Sequence, residues 1–224
     1  MASQRRYTGM LWVLLWCGIV MLTTLVADCL RVMWPYPHGA FGLEAFQSQV
    51  QQEWTSLVQL CGPRLPPVAN TIYHGMHTML FQWPGFDFMI SRASNPAPMD
   101  SGGEMMRRGV LNTRALWGAA LTGLQLFSAR LAVVVLCAPL CIAGCITGLA
   151  DGLLTWYLRR TSGGRESGFI YHRAKRHAGH AILIVGFVYL ATPFPFDPVV
   201  VLTTCIGLCA LAVRIAAARF KKYF

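Results

Sequence analysis

The chain has 224 residues, 55% of them hydrophobic and only 12% charged, with a formal net charge of +10. A soluble domain carries about 25% charged residues, so this composition excludes an ordinary water-soluble fold and makes a membrane protein the first expectation. In such a protein the positions of the basic residues carry more meaning than their sum.

The first apolar stretch is residues 9–27, "GMLWVLLWCGIVMLTTLVA". It is uncharged and long enough for one bilayer crossing, which takes ~20 residues. It is longer than the apolar region of a cleaved signal, and no Ala-x-Ala site follows it. "LVADC" has the outline of a lipoprotein signal, but Asp28 stands where a small residue is needed before Cys29. The sequence therefore predicts an uncleaved anchor over residues 1–30.

Residues 31–114 form the segment between the first two crossings. "LEAFQSQVQQEWTSLVQL" places Leu43, Phe46, Val50, Trp54, Leu57 and Val58 at helical spacing, with Gln and Glu opposite. A second helix fits Val68, Ile72, Met76, Met79, Leu80 and Trp83, linked to the first by "CGPRLPP". "SRASNPAPMDSGGEMMRR" reads as a loop by its Pro, Gly, Ser and Asn content. The segment is predicted to be a small helical hairpin, too small for a self-sufficient core.

Residues 115–158 are almost wholly apolar and too long for one crossing, with Arg130 dividing them. The clean span is 131–150, and "ALWGAALTGLQLFSA" before it reads as an interfacial or periplasmic extension of the same helix. A basic loop, 159–177, follows. The last block, 178–224, is a transmembrane hairpin reversed at "PFPFDP" and closed by a basic tail. The predicted fold class is thus an all-α membrane protein, with four transmembrane helices and a small helical periplasmic segment between the first and second.

Orientation follows from the charges. Arg5 and Arg6 precede the first span. The loop at 159–177 holds Arg159, Arg160, Arg165, Arg173, Lys175 and Arg176 against Glu166 alone, and the tail ends in Arg219, Lys221 and Lys222. Residues 28–114 balance six basic against six acidic side chains. Since Lys and Arg are retained on the cytoplasmic side, four spans with both termini inside the inner membrane satisfy every segment.

Several constellations have the outline of chemistry. Tyr171 and Lys175 have the Tyr-x-x-x-Lys spacing of some dehydrogenases, but no glycine-rich turn or βαβ pattern accompanies them. The basic loop would attract nucleic-acid phosphate, yet anionic lipid uses the same charges, and topology alone accounts for them; direct DNA contact is not expected. His74 and His77, at i and i+3, share a helix face that would suit a metal, but nearby carboxylates are sparse. No metal and no cofactor is expected. Cys137, Cys141 and Cys145 recur every four residues, as do Cys205 and Cys209, in the manner of small helix-contact residues. Gly144-x-x-x-Gly148 beside them allows close helix approach, within the chain or in an oligomer. Cys29 and Cys61 are the pair on the oxidising side, bonded or free. Asp28 with Arg130, and Asp151 with Arg214, fall at matching depths as candidate ion pairs.

The C-terminal half resembles the integrating conjugative element membrane proteins, a bacterial family. The resemblance is carried by "GLADGLLTWYLRR", "GRESGFIYHRAKR", "PFPFDP" and "ARFKKYF", over roughly residues 110–224. It implies an inner-membrane protein encoded among conjugative-transfer genes of integrative elements or plasmids, beside a coupling ATPase and a type IV secretion apparatus. It brings no catalytic residues. Glu166, Tyr171, His172, Arg173 and Lys175 are family-pattern positions, and with Arg165 they form the candidate docking set. The expected role is a non-enzymatic accessory of conjugative DNA transfer, held among membrane lipids and docking the coupling ATPase or other secretion components through the basic loop. The alternative is exclusion of incoming DNA, or signalling, through the periplasmic segment.

Overall fold

The computed structural model describes residues 2–33, 42–95, 100–161, 186–192 and 197–218. Among these residues the secondary structure is helical, with no strand. The chain forms two compact units: Met1–Val133 with Leu190–Pro195, and Val134–Tyr189 with Phe196–Phe224.

In the first unit, α1 (Ala2–Met33) carries the N-terminal apolar stretch. Its threonines do not break it, because Thr23 and Thr24 each donate to the Val20 carbonyl at 2.8 Å. Helix α2 (Leu43–Cys61) buries Phe46, Val50, Glu53 and Leu57, a 4-3-4 spacing that keeps one stripe inward. Gly62 ends it at φ 70° and donates to the Val58 carbonyl, a left-handed stop that glycine tolerates without steric cost. A 3₁₀ turn, Gly62–Arg64, leads to α3 (Leu65–His77), whose first turn accommodates a proline. The helix runs on as a π-turn through Thr78–Gln82.

Pro84 and the left-handed Gly85 (φ 81°) then turn the chain into α4 (Phe86–Ser94). Helix α5 (Ser101–Asn112) follows, capped by Asp100, whose Oδ1 accepts from the Gly103 amide at 3.3 Å. The stretch 91–108, expected to be a loop from its composition, is therefore largely helical. An Asp cap with Glu104 in the first turn offsets the weak propensity of Gly102 and Gly103.

Helix α6 (Arg114–Leu136) is the centre of this unit, with Ala119, Leu124, Phe127 and Ala132 buried. The part expected to be an extension of the following span is thus its packed inner helix. It is lined by small residues: a Cβ on Gly118 would meet Leu43 Cδ2 at 2.6 Å, and one on Gly123 would collide with the Asp28 carboxylate. After a break at Cys137, helix resumes as α7 (Ala138–Thr161) with Pro139 in its first turn. A proline there lacks the N–H that a straight continuation would need. Residues 186–191 are helical (α8), and α9 is Pro198–Ala218.

The second unit is dominated by α7 on α9. A Cβ on Gly144 would meet Ile206, one on Gly148 the backbone of Ala210, and one on Gly152 the backbone of Arg214. Each step of four on α7 matches a step of four on α9 in the same direction, so the two helices are parallel and in register. Arg159 Nη1 donates to the Ala218 carbonyl at 2.8 Å, which ties their C-terminal ends.

Among the described residues three segments are long and apolar enough to cross a membrane: Leu15–Met33, Arg114–Thr161 and Pro198–Ala218. At 1.5 Å per residue, the 48 residues of Arg114–Thr161 extend well beyond one hydrocarbon core of ~30 Å. Among its described residues the chain is therefore helical, with helices long and apolar enough for a bilayer.

Candidate functional site

Two arrangements in the first unit gather polar side chains. The first is a buried ion network. Arg130 on α6 is 1% exposed and Glu53 on α2 is 7% exposed. Arg130 Nε and Nη2 donate to Glu53 Oε1 and Oε2 at 2.6 and 2.9 Å, a bidentate pair. Arg130 Nη1 donates to the Thr192 carbonyl at 2.5 Å. One guanidinium thus joins α2, α6 and the residue that follows α8.

Asp28 on α1 is 1% exposed, and neither of its carboxylate oxygens has a hydrogen-bond partner among the described residues. It lies within electrostatic reach of Arg130, Arg31 and Glu53. Arg31 Nη2 itself donates to Gln49 Oε1 at 2.6 Å, and its guanidinium lies 5.8 Å from the Phe46 ring centroid. The pairing expected between Asp28 and Arg130 is therefore replaced by Glu53, which completes both sides of the guanidinium fork. The periodicity placed Glu opposite the apolar stripe, whereas Glu53 occupies a buried position in line with Phe46, Val50 and Leu57. An acid there demands a buried cation.

The second arrangement is a solvent-open cleft of about 290 Å³ between α2, α3 and α6. Gln51 and Trp54 come from α2, and Asn70, Tyr73 and His74 from α3. Gln125 and Ser128 form its α6 wall. The Ser128 hydroxyl donates to the Gln125 carbonyl at 2.8 Å. The side-chain amides of Gln51, Asn70 and Gln125 make no hydrogen bond among the described residues. Burial, with Asp87 nearby, pushes the Tyr73 phenol above its ordinary range, so it stays a neutral donor. Behind the cleft, His77 stacks on Phe81 at 5.3 Å and faces Asp87 at 3.6 Å. Trp117 closes this aromatic cluster against Phe86 at 5.1 Å. His74 and His77 thus serve different surroundings, the cleft and the aromatic cluster.

In the second unit the Asp151–Arg214 ion pair is formed, as the matching depths suggested, with both side chains about half exposed. Gly144 and Gly148 both face α9, and Gly152, one turn on, joins them. Among the described residues no group of His, Cys, Asp or Glu has a metal-holding arrangement. All eight cysteines are free thiols. The candidate Cys29–Cys61 bond is not made, because Cys29 Sγ lies 3.9 Å from the Leu116 carbonyl, while Cys61 ends α2. Arg31, two residues after Cys29, meets α2 at Gln49. Cys61 is 12 residues further along that helix, roughly 18 Å at helical rise, against the ~7 Å limit between Cα atoms of a disulfide.

The docking candidates Arg165, Glu166, Tyr171, His172, Arg173 and Lys175 lie outside the described residues. What the structure places is their flank, where α7 ends in Arg159 and in Arg160, whose guanidinium sits 5.5 Å from the Trp156 ring centroid. Basic groups there favour the negative end of the helix dipole.

Among the described residues, fold and sites together define a helical protein with helices long and apolar enough to cross a membrane, a buried ion network and a polar cleft in one unit, and glycine-faced parallel helices in the other. The chain belongs to the family described as IncC plasmid conjugative DNA transfer protein DtrJ-like, whose model matches residues 48–221. No curated protein and no solved structure matches it. The chain is therefore a conjugative DNA transfer protein, in agreement with the conjugative setting implied by the sequence resemblance.

Proposed function

We propose that this protein is a non-enzymatic, multi-pass inner-membrane accessory of conjugative DNA transfer, which docks the transfer machinery through the basic loop after α7. The observation that carries this reading is the family match across 48–221, joined to three helices suited to a bilayer. The partner of best fit is the coupling ATPase, which the sequence resemblance places among the same transfer genes. Arg165 and Arg173 would make charge-assisted contacts to it.

The parallel packing of α7 on α9 supports a four-crossing topology. If both helices span the bilayer in the same direction, the chain between Thr161 and Pro198 has to return across it. The count then becomes four, with both termini and the basic loop on the cytoplasmic side. An alkaline phosphatase fusion after Gly163 is expected to be inactive, and an active fusion would overturn this orientation.

The functional test is an in-frame deletion of the gene in the donor. Conjugation frequency is expected to fall to the detection limit and to be restored by the wild-type chain. A variant carrying Arg165→Gln, Tyr171→Ala and Arg173→Gln, present in the membrane at wild-type level, is expected not to restore it. Full restoration by that variant would sink the docking role. Unchanged donor frequency after deletion, with reduced DNA receipt by recipients that express the protein, would favour the exclusion reading instead.

A further inference from the structure

We propose that the cleft between α2, α3 and α6 is a binding site for a neutral glycan carrying N-acetylhexosamine units, the chemistry of a bacterial cell-wall strand. Three side-chain amides, Gln51, Asn70 and Gln125, converge on it with no partner among the described residues. Each offers both donors and an acceptor, which suits sugar hydroxyls and an acetamido group. Trp54 supplies a flat apolar face beside them, and an aromatic face of this kind covers the C–H side of a pyranose ring.

Charge separates this ligand from others. Among the described residues the lining holds no carboxylate, lysine or arginine, and the nearest acid on α2, Glu53, is committed to Arg130. A phosphate, nucleotide or acidic peptide would find no fixed positive charge, and a cation no ligand set. Position adds to this. Gln125 is exposed although its neighbours on α6, Leu124 and Leu126, are buried. An amide in an otherwise apolar helix would weaken core packing, and here it opens onto the cleft. The volume of about 290 Å³ lies at the small end of ligand pockets, which run ~300–1,000 Å³, so the site takes one or two sugar units of a strand and leaves the rest in solvent.

Access to the wall rests on the proposed outward placement of α2 to α5, but binding chemistry does not, and the two are tested separately. The full chain in lipid nanodiscs is titrated with the β-1,4-linked trisaccharide of N-acetylglucosamine, followed by saturation-transfer NMR and calorimetry. Binding is expected, with the acetyl methyl groups receiving saturation. Asn70→Leu and Gln125→Leu are each expected to weaken it about 2- to 10-fold, the range for a lost neutral hydrogen bond. Trp54→Leu should weaken it further. Thermal midpoints of all three variants check that the fold is kept.

Absence of trisaccharide binding would overturn the proposal. So would binding that all three variants leave unchanged, or binding of a wall stem peptide in its place. The assay contains no donor cell, so its failure leaves the transfer reading to be judged by the deletion experiment.

Discussion

Replacing Arg130 by methionine is expected to destabilise the protein more than any other single change outside the glycine face. The guanidinium is fully buried, bidentate to Glu53 and bonded to the Thr192 carbonyl. Removing one partner of such a pair leaves an uncompensated charge in a medium of low polarity, at a cost of ~3–5 kcal/mol. For a chain of this size that corresponds to a thermal midpoint lower by roughly 10 °C. Glu53→Met alone should also be costly, because it leaves the Arg130 guanidinium without its carboxylate, though less so, since Asp28 stays within electrostatic reach of that guanidinium. The double variant Glu53→Met with Arg130→Met is expected to recover most of the loss, since apolar side chains of similar volume replace a buried pair with little penalty. Recovery will be incomplete, because the hydrogen bond from Arg130 to the Thr192 carbonyl is lost, worth about 0.5–1.5 kcal/mol. Thermal unfolding of the purified protein in detergent, followed for all four chains, reads the coupling directly. An Arg130→Met midpoint equal to wild type would show that the network is not a buried one.

The same network marks how far the sequence could be read. Long apolar stretches were legible, because hydrophobic length is a one-dimensional property of the chain: Leu15–Met33, Arg114–Thr161 and Pro198–Ala218 overlap the stretches read at 9–27, 115–158 and 199–218. The Asp151–Arg214 pair was legible because both sit at the same depth on apolar helices, where few alternatives exist. The Arg130 partner was not, because two acids, Asp28 and Glu53, and two arginines, Arg31 and Arg130, compete in that region and tertiary approach decides among them. Depth alone favoured Asp28, whereas the approach of α2 to α6 brought Glu53. Helix α5 was obscured for a different reason. Its Gly and Ser content, with two prolines just before it, argues for loop residue by residue, and the Asp100 cap is worth only about 1 kcal/mol, too little to outweigh composition without packing. The polar cleft was wholly illegible, since Gln51, Asn70 and Gln125 are far apart in sequence and join only when three helices meet.

Gly148 is the second position where one added group should have a large effect. A Cβ there would fall onto the carbonyl oxygen of Ala210 and within 3.0 Å of its carbonyl carbon. Backbone cannot rotate aside as a side-chain tip does, so α9 has to move as a whole. Gly144 differs in kind, because its added Cβ would meet the Ile206 side chain, which can shift. Gly148→Ala is therefore expected to cost more than Gly144→Ala, and Gly148→Ile to reach or pass the upper end of the ~1–3 kcal/mol typical of overpacking. Gly207→Ile on α9 is the control, since nothing lies within 4 Å of its added Cβ. The readout uses the protein's own thiols. Cys145 and Cys209, from facing helices, lie within electrostatic reach of each other, so a chain retaining only these two cysteines should be joined by a short bis-maleimide in membranes. Crosslinking is expected to persist in Gly207→Ile and to be lost in Gly148→Ile. Close approach is what holds helices together where lipid removes the hydrophobic drive between them, and the parallel register of α7 and α9 underlies the proposed return crossing. A Gly148→Ile chain that crosslinks like wild type would therefore remove that packing and, with it, the structural argument for four crossings.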